Sequence, residues 1–290
     1  MLRKFKIFLE MIKFEHTLFA LPFAYMGAVL GSVVMLGRLP SWPEIGWITL
    51  AMVGARSAAM GLNRIIDRTI DKKNPRTAGR AIPAGLLSFK EVMIFVVGSF
   101  ALLFLATSHL SPLAVKLLPV AVFMLVAYSY TKRITWLCHL FLGLTIALAP
   151  AGGWLAVTGQ GSWTSLIFYL SIALWTTGFD IIYACQDVDF DLKEGLKSIP
   201  ARFGVRKSLW IAKVCHFLTA IGLTSLFFLA DLSWWYFAGI LISYGILFYE
   251  HAIVNENDLS RANTAFFTMN GALSCVVFAF TLVDTAVRYL

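Results

Sequence analysis

The chain has 290 residues, is 59% hydrophobic and only 14% charged, carries a net charge of +8, and has a mean hydropathy of +0.77. These values lie outside the soluble globular range and place it among membrane proteins. A nucleic-acid role would need a basic face on a soluble domain, and the loops leave no room for one. No nucleic-acid partner is expected, and no obligate protein partner is evident.

In chain order, residues 1–13 come first. Arg3, Lys4 and Lys6 precede a hydrophobic stretch, but Glu10, Lys13, Glu15 and His16 break it. The apolar run that follows is too long for a signal-peptide core. The segment reads as an amphipathic helix on the membrane surface, with Lys13 and His16 snorkelling at the mouth of the first span. From there, apolar runs recur at 14–36, 43–63, 91–109, 113–131, 138–158, 162–185, 208–230, 233–250 and 265–287. Runs of this length argue for helices, since a barrel would show short alternating segments. The expected fold is an all-α integral membrane protein of nine transmembrane helices, with residues 14–290 as one domain.

Basic residues set the expected orientation. With the N-terminus in the cytoplasm, all Lys and Arg except Arg38, Arg56, Lys116 and Arg288 fall on the inside. The four cysteines, Cys138, Cys185, Cys215 and Cys275, are far apart and form no CxxC pair, so neither a disulfide framework nor a zinc site is indicated. His109 and His251 read as interfacial loop residues, and His139 and His216 as lying near helix starts. None has metal-ligand spacing.

Two acidic segments stand out, at the ends of the second and sixth runs: NRIIDRTID at 63–71 and YACQDVDFD at 183–191. Both fall on the cytoplasmic side. Asn63-x3-Asp67-x3-Asp71 matches Tyr183-x3-Asp187-x3-Asp191, and a basic, Gly-containing loop follows each. Four spans separate them, which suggests two pseudo-equivalent four-helix halves of the same orientation plus a ninth helix, with a site at their interface. Residues spaced by four and eight stay within about 80° of helical arc over about 12 Å. Asn63, Asp67 and Asp71 therefore form one stripe, with Arg56 on nearly the same face, and Asp180, Asp187 and Asp191 form another. Asp189 points elsewhere.

Carboxylates clustered at a membrane boundary are costly unless their charge is compensated. Oxygen ligands without His or Cys suit a hard cation, and Mg²⁺ characteristically borrows oxygens from substrate phosphates. Arg68, Lys72, Lys73, Arg76, Arg80, Lys193, Lys197 and Arg202 stand around the acids and could hold a diphosphate. No Walker-type glycine loop accompanies them, which argues against nucleotide hydrolysis. Two other readings of the same charges are a secondary transporter, whose site would normally sit near the midplane, and a lipid phosphotransferase.

NRIIDRTID with RTAGRAIPAG, and FDIIYACQDVDFD with LKEGLKS, resemble the two aspartate-rich motifs of the UbiA superfamily of intramembrane prenyltransferases. YTKRITWL, at 130–137, is similar to that family's loop between the fourth and fifth spans. The combination is most similar to 4-hydroxybenzoate polyprenyltransferases. Where those enzymes commonly read RPLPSG and YDTxYA, this chain has Arg80-Ala81-Ile82-Pro83-Ala84-Gly85 and Phe179-Asp180-Ile181-Ile182-Tyr183-Ala184. The metal positions survive these departures, and a dihydroxynaphthoate of menaquinone synthesis stays open as the acceptor.

The resemblance implies Mg²⁺-dependent transfer of a polyprenyl group from its diphosphate to the ring of an aromatic acid, for ubiquinone-type quinone synthesis in a bacterial inner membrane. It implies that Asn63, Asp67, Asp71, Asp187 and Asp191 hold two Mg²⁺ ions, and that Lys72, Arg76, Arg80 and Lys197 neutralise the diphosphate. Asp180 would engage the acceptor hydroxyl, and Arg133 the acceptor carboxylate.

Overall fold

Serine starts many of the long helices. Ser41, Ser88, Ser111, Ser162, Ser198 and Ser233 each accept a backbone N–H from the first turn of the helix that follows, which satisfies donors that a helix start leaves unpaired. The structure is a computed structural model that describes residues 2–12 and 14–289, with side chains from residue 21 onward and at 4 and 6–12. Lys13 and the side chains of Arg3, Glu15 and His16 lie outside the described residues.

The helices are α1 (Leu2–Met11), α2 (Phe14–Leu36), α3 (Trp42–Ile66), α4 (Arg68–Lys73), α5 (Phe89–Ser108), α6 (Pro112–Ile134) and α7 (Cys138–Ile146). They continue as α8 (Leu148–Thr158), α9 (Trp163–Ala184), α10 (Val188–Lys193), α11 (Ile199–Leu229), α12 (Trp234–Ala252), α13 (Ala262–Thr264) and α14 (Asn270–Tyr289). No β-strand is present among the described residues; the sheet geometry is one isolated bridge, Asn255 to Asp258.

Seven segments among the described residues are long and apolar enough to cross a membrane: α3, α5, α6, α7 with α8, α9 with α10, α11, and α13 through α14. Of α2, the stretch Leu21–Leu36 is apolar but shorter, and α12 is not among the seven. Length and hydropathy alone thus return fewer crossings than the nine expected from the sequence, although each of the nine runs is helical. Large apolar side chains such as Ile94, Phe104, Phe123, Phe217 and Phe248 face outward, as lipid contact requires. The largest core gathers Phe23, Trp154, Phe168, Trp175, Tyr236 and Leu273 from five helices.

Close pairing inside the bundle uses small residues. Gly27 of α2 faces the Pro150 carbonyl and Gly153 of α8 faces that of Ala24, where an added Cβ would stand 2.0 Å from either oxygen. Removing the side chain lets the two backbones meet, the usual device where lipid supplies no hydrophobic drive. Pro150 lacks the N–H that would continue the ladder back to Ile146, and α7 gives way to α8 there.

The seventh run was expected to start at 208. α11 starts at Ile199 and bends at Gly204, whose φ of 77° only glycine adopts freely. His216 therefore sits mid-helix rather than near a helix start, and His251 lies within α12 rather than in a loop. Helix α1 packs on the start of α5: Phe8 stacks on Phe95 with centroids 4.9 Å apart, and Lys4 pairs with Glu91. Met11 and Ile12 bury against Ile65, Ala81 and Leu87, immediately behind the first acidic motif.

Candidate active site

Both acidic motifs break at their central aspartate. Helix α3 ends at Ile66, Asp67 takes φ −89° and ψ 2°, and α4 begins at Arg68. In the second motif α9 ends at Ala184, a 3₁₀ turn spans Cys185–Asp187, Asp187 takes φ −104° and ψ 6°, and α10 begins at Val188. The i→i+4 ladder persists across the first break, from Asp67 N to Asn63 O at 2.9 Å and from Asp71 N to Asp67 O at 2.7 Å. The polar stripe expected of one continuous helix thus survives with a bend. The second aspartates, Asp71 and Asp191, are both buried, whereas Asp189 is exposed. The same local conformation recurs at matched positions.

Arginines hold three of the carboxylates. Arg133, at the end of α6, donates to Asp67 Oδ1 at 2.8 Å and to the Ile66 carbonyl at 2.9 Å. Arg80 donates to Asp71 Oδ1 at 2.7 Å. Arg76 engages both oxygens of Asp187, with Nε at 3.0 Å from Oδ1, and donates to the Tyr183 hydroxyl at 2.7 Å. Lys73 meets Glu194 at 2.5 Å. These last two contacts join the loop after the first motif to the second motif, so residues more than a hundred positions apart form one site at one end of the bundle.

Electrostatics follow the burial. Desolvation raises the Asp67 carboxyl above the ordinary range, against the lowering pull of Lys132 and Arg133. Burial works against the Arg76 charge, but the Asp187 carboxylate more than offsets it and the guanidinium is held more firmly protonated. The Lys132 ammonium also favours the charged form of Asp67.

Of the expected site residues, Asn63, Asp67 and Arg133 come together, as do Asp71 with Arg80 and Asp187 with Arg76, in pairs that the sequence did not announce. Asn63 donates to Asp67 Oδ2 at 2.9 Å and to Ser129 Oγ at 3.3 Å. Arg133, expected to wait for a substrate carboxylate, is spent on Asp67, Ile66 and the Ser129 carbonyl. Lys197 points its ammonium at the Ile134 carbonyl, 2.9 Å away, and Lys72 is exposed. Asp180 bonds through Oδ2 to His139 Nδ1 at 2.7 Å. Arg56 keeps a buried Nε without a partner.

His139, Lys132, Tyr183 and Asn74, whose amide donates to Asp187 Oδ1 at 3.4 Å, were not expected as site residues. Lys132, Tyr183 and Asn74 lie in or beside the motifs and could have been found there. His139 stands 41 residues from Asp180 with no local signal.

Among the described residues, no three carboxylate, imidazole or thiol side chains converge as they would on a metal ion. The donor chemistry nonetheless fits Mg²⁺. Asp71 is 3% exposed and its Oδ2 has no hydrogen-bond partner, and Mg²⁺ needs only one or two carboxylates when phosphates supply the rest.

Paired aspartate motifs with basic loops at one end of an apolar helical bundle are the build of an intramembrane prenyltransferase. The profile of the UbiA prenyltransferase family matches residues 20–272, and the chain belongs to that family. It is 31% identical over 240 residues to the 4-hydroxybenzoate octaprenyltransferase of Vibrio campbellii, an alignment that covers 82% of this chain and 84% of that one. Its similarity to the enzyme of that description from Nitrosospira multiformis is 27% over 239 residues, 82% of each chain. The apo structure of a UbiA homolog from Aeropyrum pernix K1 shares the fold with a TM-score of 0.84 at 30% identity, over 93% of this chain and 98% of that one. A UbiA homolog from Archaeoglobus fulgidus, solved bound to DMAPP and Mg²⁺, shares it with a TM-score of 0.74 at 16% identity, over 97% and 99%. The chain is accordingly an integral membrane enzyme, a prenyltransferase of the UbiA type and similar to 4-hydroxybenzoate polyprenyltransferases.

Proposed function

We propose that the enzyme transfers a polyprenyl group from its diphosphate to the ring of 4-hydroxybenzoate, in Mg²⁺-dependent quinone synthesis. The observation that carries this reading is the junction of the two motifs: Arg76 of the first loop on Asp187 and Tyr183 of the second. It brings carboxylates and cations together at one bundle end, where a diphosphate head can be held while its tail lies among apolar helices. Relatives that carry a benzoate name support the acceptor, and they lend nothing to a dihydroxynaphthoate. A transporter site would sit nearer the midplane.

Asn63, Asp67 and Asp71 on one side, with Asp187 and Asp191 on the other, are the residues that would hold Mg²⁺. Bound Mg²⁺ supplies Lewis-acid charge to the leaving diphosphate. Arg76, Arg80, Lys72 and Lys197, joined by Lys132, neutralise the rest of that charge. In the free enzyme the arginines compensate the carboxylates directly, and the diphosphate replaces the pairings of Arg76 and Arg80.

The allylic C–O bond breaks with its electron pair leaving on the diphosphate. The ring carbon beside the hydroxyl then bonds to the freed carbon, and the ring proton departs to restore aromaticity. Asp180, held by His139, accepts the hydrogen bond of the acceptor hydroxyl. Because Arg133 is committed to Asp67, the acceptor carboxylate falls to Arg56, whose Nε is unpartnered inside the bundle.

The nine helical runs would cross the membrane as two four-helix halves plus a ninth, with the recurring break at Asp67 and Asp187 supporting the repeat. The motif end and α1 would face the cytoplasm, with α1 on the surface of a bacterial inner membrane. Purified protein with geranyl diphosphate, 4-hydroxybenzoate and Mg²⁺ tests the proposal. Prenylated benzoate is the expected product, and inertness of folded protein towards this acceptor would overturn it.

A further inference from the structure

Arg64, in the last turn of α3, is 7% exposed, and among the described residues it forms no ion pair: Asp67 goes to Arg133 and Asp71 to Arg80. A guanidinium this deep is normally matched by a carboxylate, because an unpaired buried charge is expensive. Here Nη1 donates instead to a neutral acceptor, Asn63 Oδ1, at 3.1 Å. A guanidinium only donates and a carboxylate only accepts, so these partners leave one way round for the Asn63 amide. Oδ1 faces Arg64, and Nδ2 faces Asp67 Oδ2 at 2.9 Å and Ser129 Oγ at 3.3 Å.

That amide closes a circuit between α3 and α6. Asn63 donates to one oxygen of Asp67, and Arg133 donates to the other at 2.8 Å. Arg133 also donates to the Ser129 carbonyl at 3.2 Å, and Ser129 Oγ accepts from Asn63. Arg64 stands outside this circuit and holds the one end of the amide that the circuit leaves loose. A buried polar network fixes its members only when each is satisfied. The second motif repeats the arrangement by other means. Tyr183 stands where Asn63 does, the next residue is Ala184 in place of an arginine, and Arg76 from the first loop donates to the Tyr183 hydroxyl at 2.7 Å. At both matched positions a guanidinium thus holds the side-chain oxygen four residues ahead of the central aspartate.

We propose that Arg64 is a positioning residue of the metal site: it fixes the Asn63 amide, and through the amide Asp67, in the orientation that receives Mg²⁺. The proposal rests on the reading of the metal set given above, and it adds a residue that acts only through Asn63. An amide oxygen has two lone pairs, so one serves Arg64 while the other stays open to a cation. Without Arg64 the amide is held by its donor end alone, and Oδ1 is free to turn. The charge of Arg64 works the other way, since a buried cation this near repels a metal ion. Removal of Arg64 therefore separates the two effects by sign: loss of a mere charge tightens metal binding, and loss of a positioning group weakens it.

The test is binding of Mn²⁺, which takes the same oxygen ligands as Mg²⁺, to the full-length protein in detergent, read from the electron paramagnetic resonance signal of free Mn²⁺ alongside steady-state kinetics. Arg64→Met keeps an apolar stem and removes the donor. It should weaken Mn²⁺ binding about tenfold, as for loss of a group that orients a metal ligand, while KM for the aromatic acid moves less than about twofold. Arg64→Lys, whose ammonium can serve Asn63 Oδ1, should restore the affinity to within about threefold of the parent. Equal or tighter Mn²⁺ binding in folded Arg64→Met would overturn the positioning role, and so would a Lys variant as impaired as Met. Should Arg64→Met fail to fold, Arg64→Gln offers a polar side chain too short to hold Oδ1; it must weaken Mn²⁺ binding likewise, and unchanged binding overturns the proposal. Parental protein that takes up no Mn²⁺ would remove both this role and the metal reading beneath it. Metal binding needs no acceptor, so protein whose Mn²⁺ affinity follows Arg64 as described but which prenylates no benzoate would sink the functional reading while the positioning role stands.

Discussion

At the scale of the residue, the site is a set of carboxylates whose charge is answered twice: by arginines in the free enzyme, and by metal and diphosphate in the reading proposed. Asp67→Asn or Asp191→Asn should lower turnover by about a hundredfold or more, the size of effect seen when a group stabilising transition-state charge is removed; a loss below tenfold would remove that residue from the metal set. Burial lifts the Asp67 carboxyl above its ordinary pKa, so its proton is lost at a higher pH than from a solvated aspartate, about 3.9. Proton and Mg²⁺ compete for the same oxygens. Activity should therefore fall as pH drops through a limb lying above the ordinary carboxylate range, and added Mg²⁺ should move that limb to lower pH. A pH–rate profile at two Mg²⁺ concentrations checks this, and a limb indifferent to the metal would contradict it. Arg133 marks the limit of reading one residue at a time: YTKR is visible in the sequence, but the Asp67 that occupies the guanidinium lies 66 positions away.

At the scale of the element, helices were legible because each apolar run carries its own length signal, and serine with an acid three residues on marks starts such as Ser41 and Ser88. The breaks were not legible. Asp67 and Asp187 bend their helices because the chain must turn from the bundle into a basic loop, and no glycine or proline marks the place. Gly204 does mark a bend, yet the charges of Arg202, Arg206 and Lys207 hid the first turns of α11 from a hydropathy reading. The π-helical turn at Ala265–Met269 left no trace either, since its neighbours are tertiary: the Phe266 ring packs on those of Phe179 and Tyr183. Packing gives this scale its own prediction. Gly153→Val would drive a side chain into the Ala24 carbonyl of α2, and overpacking of this kind costs about 1–3 kcal/mol. A thermal midpoint several degrees below the parent's is expected in the same detergent, and an unchanged midpoint would mean that α2 and α8 do not pack as closely as described.

At the scale of the whole molecule, paired motifs at one end of an apolar bundle explain why a membrane protein would keep so many acids together, and membership of the UbiA family gives them a common chemistry. Charge distribution carries the orientation proposed above. A single cysteine introduced at Lys207, in an otherwise cysteine-free chain, should be shielded from an impermeant thiol reagent in intact cells, whereas one at Lys116 should react; the reverse pattern would invert the protein. The central claim is tested most directly by one assay: geranyl diphosphate, radiolabelled 4-hydroxybenzoate and Mg²⁺ with purified protein, repeated with EDTA and with Asp67→Asn. The account predicts prenylated benzoate with the native protein and Mg²⁺, and its loss under both of the other conditions. Product that persists in EDTA or in the variant would contradict it.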